Sequence, residues 1–247
     1  MGQILQPPLH YFFHLSSSNM PKTIWVKESA FGIWFLNSHT WKQRVLRVAL
    51  ADLARLLPTA PANPSILDVG CGRGNSFALL EEHFHPQQIT AIEIDEDLLP
   101  DARAAASRCT CSVSVTAGNA ECLPYPDASF DMVFCHQSFH HIVRQPEAMT
   151  EFYRVLKPGG FLLFAESCKR FIHSLPIRLL FRHPMQVQKS AAEYVQLIRD
   201  SGFHIDDQAM ATPYLWWSRP DIGALEWFGQ ALPTQPEPTL LNLVAIK

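Results

Sequence analysis

From Ile66 onward the chain alternates between short, nearly continuous apolar runs and longer amphipathic stretches. Ile66-Leu67-Asp68-Val69 reads as a buried strand and leads into a helix near 75–84. Ile89-Thr90-Ala91-Ile92-Glu93-Ile94 reads as a second strand, followed by a helix near 96–107. A strand over 112–116, a loop and a strand over 130–135 come next, and a helix near 146–157 ends at Lys157-Pro158-Gly159-Gly160 ahead of a strand over 161–166. A helix near 190–201, capped at Gly202, and strands over 203–210 and 240–246 complete the series. Apolar strands that lack a polar alternate face, separated by amphipathic helices, predict an α/β domain whose parallel sheet is covered on both sides. In such sheets ligands sit beyond the carboxyl ends of the strands.

Two segments interrupt the alternation. Between Ile24 and Leu57, apolar residues from Val45 to Leu57 recur at helical spacing behind an aromatic group that includes Trp25, Trp34, Phe35 and Trp41, which predicts a helical cap over 23–60. Pro58, Pro61 and Pro64 separate it from a main domain over 61–247, and residues 1–22 read as a loosely ordered lead. Near 167–188 a helical insertion after strand five mixes Lys169, Arg170, Arg178 and Arg182 with apolar residues.

Composition narrows the function classes. Hydrophobic residues are 47% of the 247 and charged residues 17%, enough apolar material for a sizeable core. A formal net charge of -3 gives no support to nucleic-acid binding, which needs a basic face. No apolar run reaches the length of a membrane span, and no Lys or Arg precedes Lys22 as a secretory signal would require, so a cytoplasmic protein is expected. No C-x-x-C pair is present; grouping Cys135, His136 and His140 as metal ligands finds no supporting carboxylate, and no metal site is expected.

The turn Gly70-Cys71-Gly72-Arg73-Gly74 carries the candidate chemistry. A dinucleotide turn is spaced G-x-G-x-x-G and places a pyrophosphate on the helix N-terminus. Here the spacing is G-x-G-x-G, and Asp68 stands two residues before the first glycine, where it would repel a pyrophosphate and attract a cationic group. Glu93, about twenty residues on at the end of strand two, is placed to accept the hydroxyls of a ribose. Alternate glycines let backbone approach such a ligand closely.

Together, Ile66 to Asn75, Gly118-Asn119-Ala120-Glu121-Cys122-Leu123-Pro124, Ser129 to Phe134, His140-His141 and Arg154-Val155-Leu156-Lys157-Pro158-Gly159-Gly160-Phe161 resemble, in order, the motifs of class I S-adenosylmethionine-dependent methyltransferases. The small-molecule enzymes that act on ubiquinone and menaquinone precursors are the most similar group. The resemblance spans about residues 65–166 and implies a Rossmann-like, doubly wound sheet of seven strands, mostly parallel with an antiparallel last strand. It implies S-adenosyl-L-methionine as cofactor. Asp68, Gly70, Cys71 and Gly72 would then flank its methionine part, Glu93 the ribose, Ile94 the adenine face, Asn119 and Ala120 the adenine edge, and His136 the methionine side. Gly74 is divided evenly between ligand contact and helix packing.

On the acceptor side the resemblance implies transfer to a small molecule, with His141 or His140 as base; imidazole titrates near neutral pH. Trp25, Trp34, Phe35, the 167–188 insertion and Trp216-Trp217 are expected to roof the acceptor pocket, and aromatic walls suit an apolar or flat acceptor. The basic, amphipathic insertion is a candidate for peripheral contact with a membrane surface. A non-catalytic S-adenosylmethionine-binding module is the alternative, and the sequence carries no signal for oligomeric state.

Overall fold

The computed structural model describes residues 25–232 and 234–247. The N-terminal lead over 1–22 and the start of the cap at 23–24 lie outside the described residues. Seven strands form one sheet: β1 Ser65–Val69, β2 Gln88–Glu93, β3 Ser112–Ala117, β4 Phe130–His136, β5 Leu156–Ser167, β6 Met210–Ala211 and β7 Leu240–Ile246. Their order is β3-β2-β1-β4-β5-β7-β6, and β7 runs antiparallel to both neighbours while the β3-to-β5 half is parallel. The order reverses between β1 and β4, so the crevice past their carboxyl ends is the switch point at which such sheets take ligands.

Helices cover both faces. On one, α2 (Arg47–Leu56), α3 (Phe77–Phe84) and α4 (Leu99–Ala106) pack Leu50, Leu53, Phe77 and Ala102 onto Ile66, Met132 and Phe134. On the other, α5 (Gln145–Val155) and α8 (Ala191–Asp200) pack Phe152, Tyr194 and Ile198 onto Leu67, Val133 and Phe164. Every residue of β1 is buried, which is why its run is apolar throughout except at Ser65 and Asp68. A short α1 (Ala30–Leu36) precedes a π-helical turn, Trp41–Leu46, that continues directly into α2. The insertion folds as α6 (Lys169–Ile172), α7 (Leu175–Leu180) and a 3-10 turn at Met185–Val187. A last short helix, α9, spans Ala224–Trp227.

Three expectations need correction. The strand over 203–210 shrinks to Met210–Ala211 plus one bridge from His204 to Ile246, because Asp206 caps a 3-10 turn at Asp207–Ala209 with its side chain and bends the chain off the ladder. Lys157 to Gly160 does not end a helix. It already belongs to β5, which begins at Leu156 and shifts register between Phe130 and Met132. Gly159, at φ +76°, donates its N–H to Lys247 O, and Lys247 N–H returns to Gly160 O, so this irregular start is tied to the end of β7. Trp34 is 64% exposed and does not face the pocket.

Candidate active site

Three carboxylates close the carboxyl ends of the strands at the switch point, and each does a different job. Glu93 ends β2 and is almost fully held by backbone: Oε2 accepts from Gly72 N–H at 2.7 Å, while Oε1 accepts from Ile94 N–H at 2.8 Å and Asp95 N–H at 2.9 Å. Burial raises its pKa against those three donors. Asp68, on β1 between Ala91 and Phe134, is buried and accepts the Ser76 hydroxyl proton. Burial drives its pKa from 3.8 up to about 7, Ser76 opposes the shift and the nearby Glu93 charge adds to it. A nearby cation would favour the charged form of a carboxyl so buried.

The glycines between them differ in purpose. Gly72 has φ +55° and open space where a Cβ would stand, so its backbone is bare toward the cavity. A Cβ on Gly74 would meet Phe77 at 2.5 Å and Ala105 at 2.9 Å, which assigns this glycine to helix packing. Gly70 packs against Ser138, whose hydroxyl donates to Val69 O at 2.9 Å. Cys71 and Ala120 are buried, and both line the cavity with Ile94. Asn119 Oδ1 accepts Glu121 N–H at 3.0 Å, and Glu121 holds Arg144 at 2.6 Å, which fixes this loop. His136 ends β4 with its ring stacked 6.0 Å from Phe134 and tilted 5.6 Å from Trp41. Its buried Nε2 has no partner among the described residues, and burial pushes its pKa down to about 3, so it is a neutral imidazole.

The third carboxylate, Glu166, lies near the end of β5 and was not read from the sequence as a site residue. Its Oε1 accepts Ser138 N–H at 2.8 Å and Phe139 N–H at 2.7 Å, and its Oε2 stands 2.6 Å from His140 Nδ1. With Oε2 as acceptor, Nδ1 carries the proton and the lone pair sits on Nε2. Strand-end position, the signal that picked out Asp68 and Glu93, would have found Glu166 as well. His183 and Glu28 have no comparable local signal. They arrive from the insertion and the N-terminal segment: the His183 ring lies tilted 5.1 Å from His140 and 4.9 Å from His141, and Glu28 Oε2 is 4.0 Å from His141 Nε2. Burial depresses the pKa of His141 well below the usual imidazole range, and the His140 and His183 rings add to the effect. His183 is pushed down to about 3.

One cavity of about 400 Å³ joins Asp68, Gly72 and Glu93 at one end to His140, His141 and His183 at the other. Its roof is α1 and the insertion. Ser29 Oγ donates to Leu180 O at 2.6 Å, Arg182 N–H donates to Glu28 Oε1 at 2.9 Å, and Phe181 meets Phe31 and Phe35 edge-on at 5.5 and 5.8 Å. At its other end α1 is fastened to the glycine turn, where Asn75 Nδ2 donates to Leu36 O at 3.0 Å. Trp25, Phe35, Trp216 and Trp217 reach the cavity as expected of the roof.

Comparison with known proteins agrees with this geometry. A family profile described as a methyltransferase domain matches residues 67–164. The fatty-acid O-methyltransferase of Mycolicibacterium smegmatis is 29% identical over 141 residues, 57% of this chain and 51% of that protein. The demethylmenaquinone methyltransferase of Symbiobacterium thermophilum is 36% identical over 109 residues, 43% of each chain. The chain thus spans about half the length of curated relatives it matches. Among solved structures, an S-adenosylmethionine-dependent methyltransferase from Mesorhizobium loti superposes with a TM-score of 0.60 at 16% identity, covering 80% of this chain and 96% of that one. The sheet order, the strand-end carboxylates and the glycine turn agree with that profile, which matches residues 67–164 as a methyltransferase domain.

Proposed function

We propose that the chain transfers a methyl group from S-adenosylmethionine to a small, apolar or aromatic acceptor held under the roof. The observation that carries this reading is the single cavity, carboxylate-lined where the family binds its cofactor and walled by aromatic and apolar side chains where an acceptor would lie. When bound, the cofactor supplies a methyl on a sulfonium that leaves as a neutral thioether. The residues present suit it: Asp68 offers negative charge to its cationic part, Glu93 faces the ribose, and the bare backbone at Gly72 permits close approach.

The protein's part is then alignment and water exclusion, and positioning of this kind contributes on the order of 7–11 kcal/mol to a barrier. Of the two candidate bases, the geometry favours His140. Glu166 orients its ring and stabilises the imidazolium that forms when Nε2 takes an acceptor proton. His141 is a poorer proton acceptor, since burial holds it neutral far below its usual range. Incubating the purified chain with S-adenosylmethionine and a panel of quinols, phenols and long-chain acids, with mass spectrometry of the products, tests the reading. A product one methyl heavier, lost in Glu93→Ala, is the expected result; cofactor binding without any methylated product across oxygen, nitrogen and carbon acceptors would refute it.

The roof also bears on where the acceptor comes from. Helix α7 lines the cavity with Pro176, Ile177 and Leu180, while Leu175 and Leu179 stand 70% and 74% exposed beside Arg178. Exposed leucines next to a basic residue suit the interface of an anionic bilayer, a source of lipid-like acceptors. No helix among the described residues is long and apolar enough to cross a membrane, so such contact would be peripheral. Co-sedimentation with anionic vesicles that Leu179→Glu abolishes is the expected outcome.

A further inference from the structure

Resting on the reading of the roofed end of the cavity as the acceptor side, we propose that His140, His141 and His183 form a binding site for a transition-metal dication of the zinc type, with an open position toward the cavity for an oxygen atom of the acceptor. One ring nitrogen from each of the three residues lies within 4.8 Å of the others. Nitrogens bound to one zinc at about 2.0–2.1 Å stand about 3.3 Å apart in a tetrahedral site. The set must therefore draw in by up to about 1.5 Å to hold one ion.

Three features separate this cluster from ordinary ring packing. First, the tilted rings lie at centroid distances of 4.4, 5.1 and 4.9 Å, yet the buried Nδ1 of His183 has no hydrogen-bond partner among the described residues. An orphaned buried imidazole nitrogen costs free energy that a metal ion would recover. Second, Glu166 bonds His140 Nδ1 and leaves Nε2 with the lone pair. A carboxylate behind a histidine is the arrangement that orients metal-bound imidazoles and raises their basicity. Third, charge balances: three neutral imidazoles around a dication carry +2, and Glu166 and Glu28, 4.0 Å from His141, supply two carboxylates beside it.

Three histidines with a fourth position free is the donor set of catalytic rather than structural zinc sites. It selects an acceptor that presents a hydroxyl, carboxylate or carbonyl oxygen. With the ion in place His140 acts as a ligand, and the ion rather than its lone pair faces that oxygen. The histidine spacing gave no hint of this set, because His183 comes from the insertion, far along the chain from His140 and His141.

The test needs neither cofactor nor acceptor, so its failure is distinct from failure of the methyl-transfer reading. The chelator-stripped full chain is titrated with Co2+, followed by its visible absorption, and with Zn2+, followed by calorimetry. One equivalent is expected, with Zn2+ affinity about ten- to a hundred-fold weaker in Glu166→Gln and at least about a hundred-fold weaker in both His183→Ala and His183→Gln. An unchanged circular dichroism spectrum in these variants reports an intact fold, and the glutamine variant keeps the side-chain bulk if alanine unfolds the roof. Absence of one-equivalent binding by the unmodified chain would overturn the proposal, as would binding unchanged in both His183 variants. Binding that instead disappears on thiol alkylation would place the ion at the cysteines and overturn it equally.

Discussion

The two ends of the cavity are built by different means. At one end, carboxylates are fixed by their own strand ends and the glycine turn: Glu93 holds Gly72, Ile94 and Asp95 N–H groups, and Asp68 holds Ser76. At the acceptor end, the same fold assembles side chains from four remote stretches, namely Glu28, His140 with His141, Glu166 and His183. The first end is mostly backbone geometry around carboxylates; the second is side-chain chemistry held by an aromatic roof. A shared donor needs one fixed frame, whereas an acceptor site is free to draw on whatever segments cross above it.

That contrast makes the two ends separable by mutation. The largest effect is expected from His140→Ala, which should lower turnover by about a hundred- to ten-thousand-fold while leaving the cofactor dissociation constant unchanged in calorimetry. A parallel loss of cofactor binding would break the separation. Glu166→Gln should shift the pH profile of turnover as well as its height, since it acts through the His140 imidazole. Next, Glu93→Ala strands three backbone donors and removes the carboxylate proposed to hold the ribose. Hydrogen bonds to charged groups are worth about 1.5–3 kcal/mol, so cofactor affinity should fall on the order of ten- to a hundred-fold, with no change in acceptor binding.

Asp68 gives a pH signature confined to the cofactor end. A cationic ligand needs the carboxylate, and below about 7 a proton must first leave, so affinity should fall by up to about tenfold per pH unit below that value and level off above it. Asp68→Asn should bind weakly with no such slope. Stability runs the other way. The folded pKa is raised above the ordinary 3.8, so the contribution of Asp68 to stability is complete below 3.8 and is lost as pH rises through about 7. The ligand-free Asp68→Asn protein should therefore gain in melting temperature over the unmodified chain between pH 5 and pH 8. The smallest effect is expected at the rim: Leu179→Glu should weaken vesicle binding severalfold and leave turnover on a water-soluble acceptor intact.

The same contrast explains what the sequence could disclose. Asp68, Gly72, Glu93 and Asn119 could be proposed from sequence because each lies at or just past the end of a strand with a readable apolar run. Glu166 obeys the same strand-end rule but lacks a glycine turn to draw notice. His183 and Glu28 gain meaning only when α1 and the insertion meet, and no local spacing encodes that meeting. Fold errors have the same origin. The apolar pattern of 203–210 suggested a strand, and one carboxylate, Asp206, capping its own backbone was enough to end it. Trp34 belonged to a true aromatic cluster, but helical phase turned its ring to solvent while Phe31 and Phe35 faced Phe181.

Helix α1 is pinned at its N-cap to the insertion through Ser29 and at its last residue to the glycine turn through Asn75. A rigid rod of seven residues fastened at both ends cannot lift from one compartment and stay seated on the other. One short helix thus couples the two compartments, and a change at either fastening is passed to both.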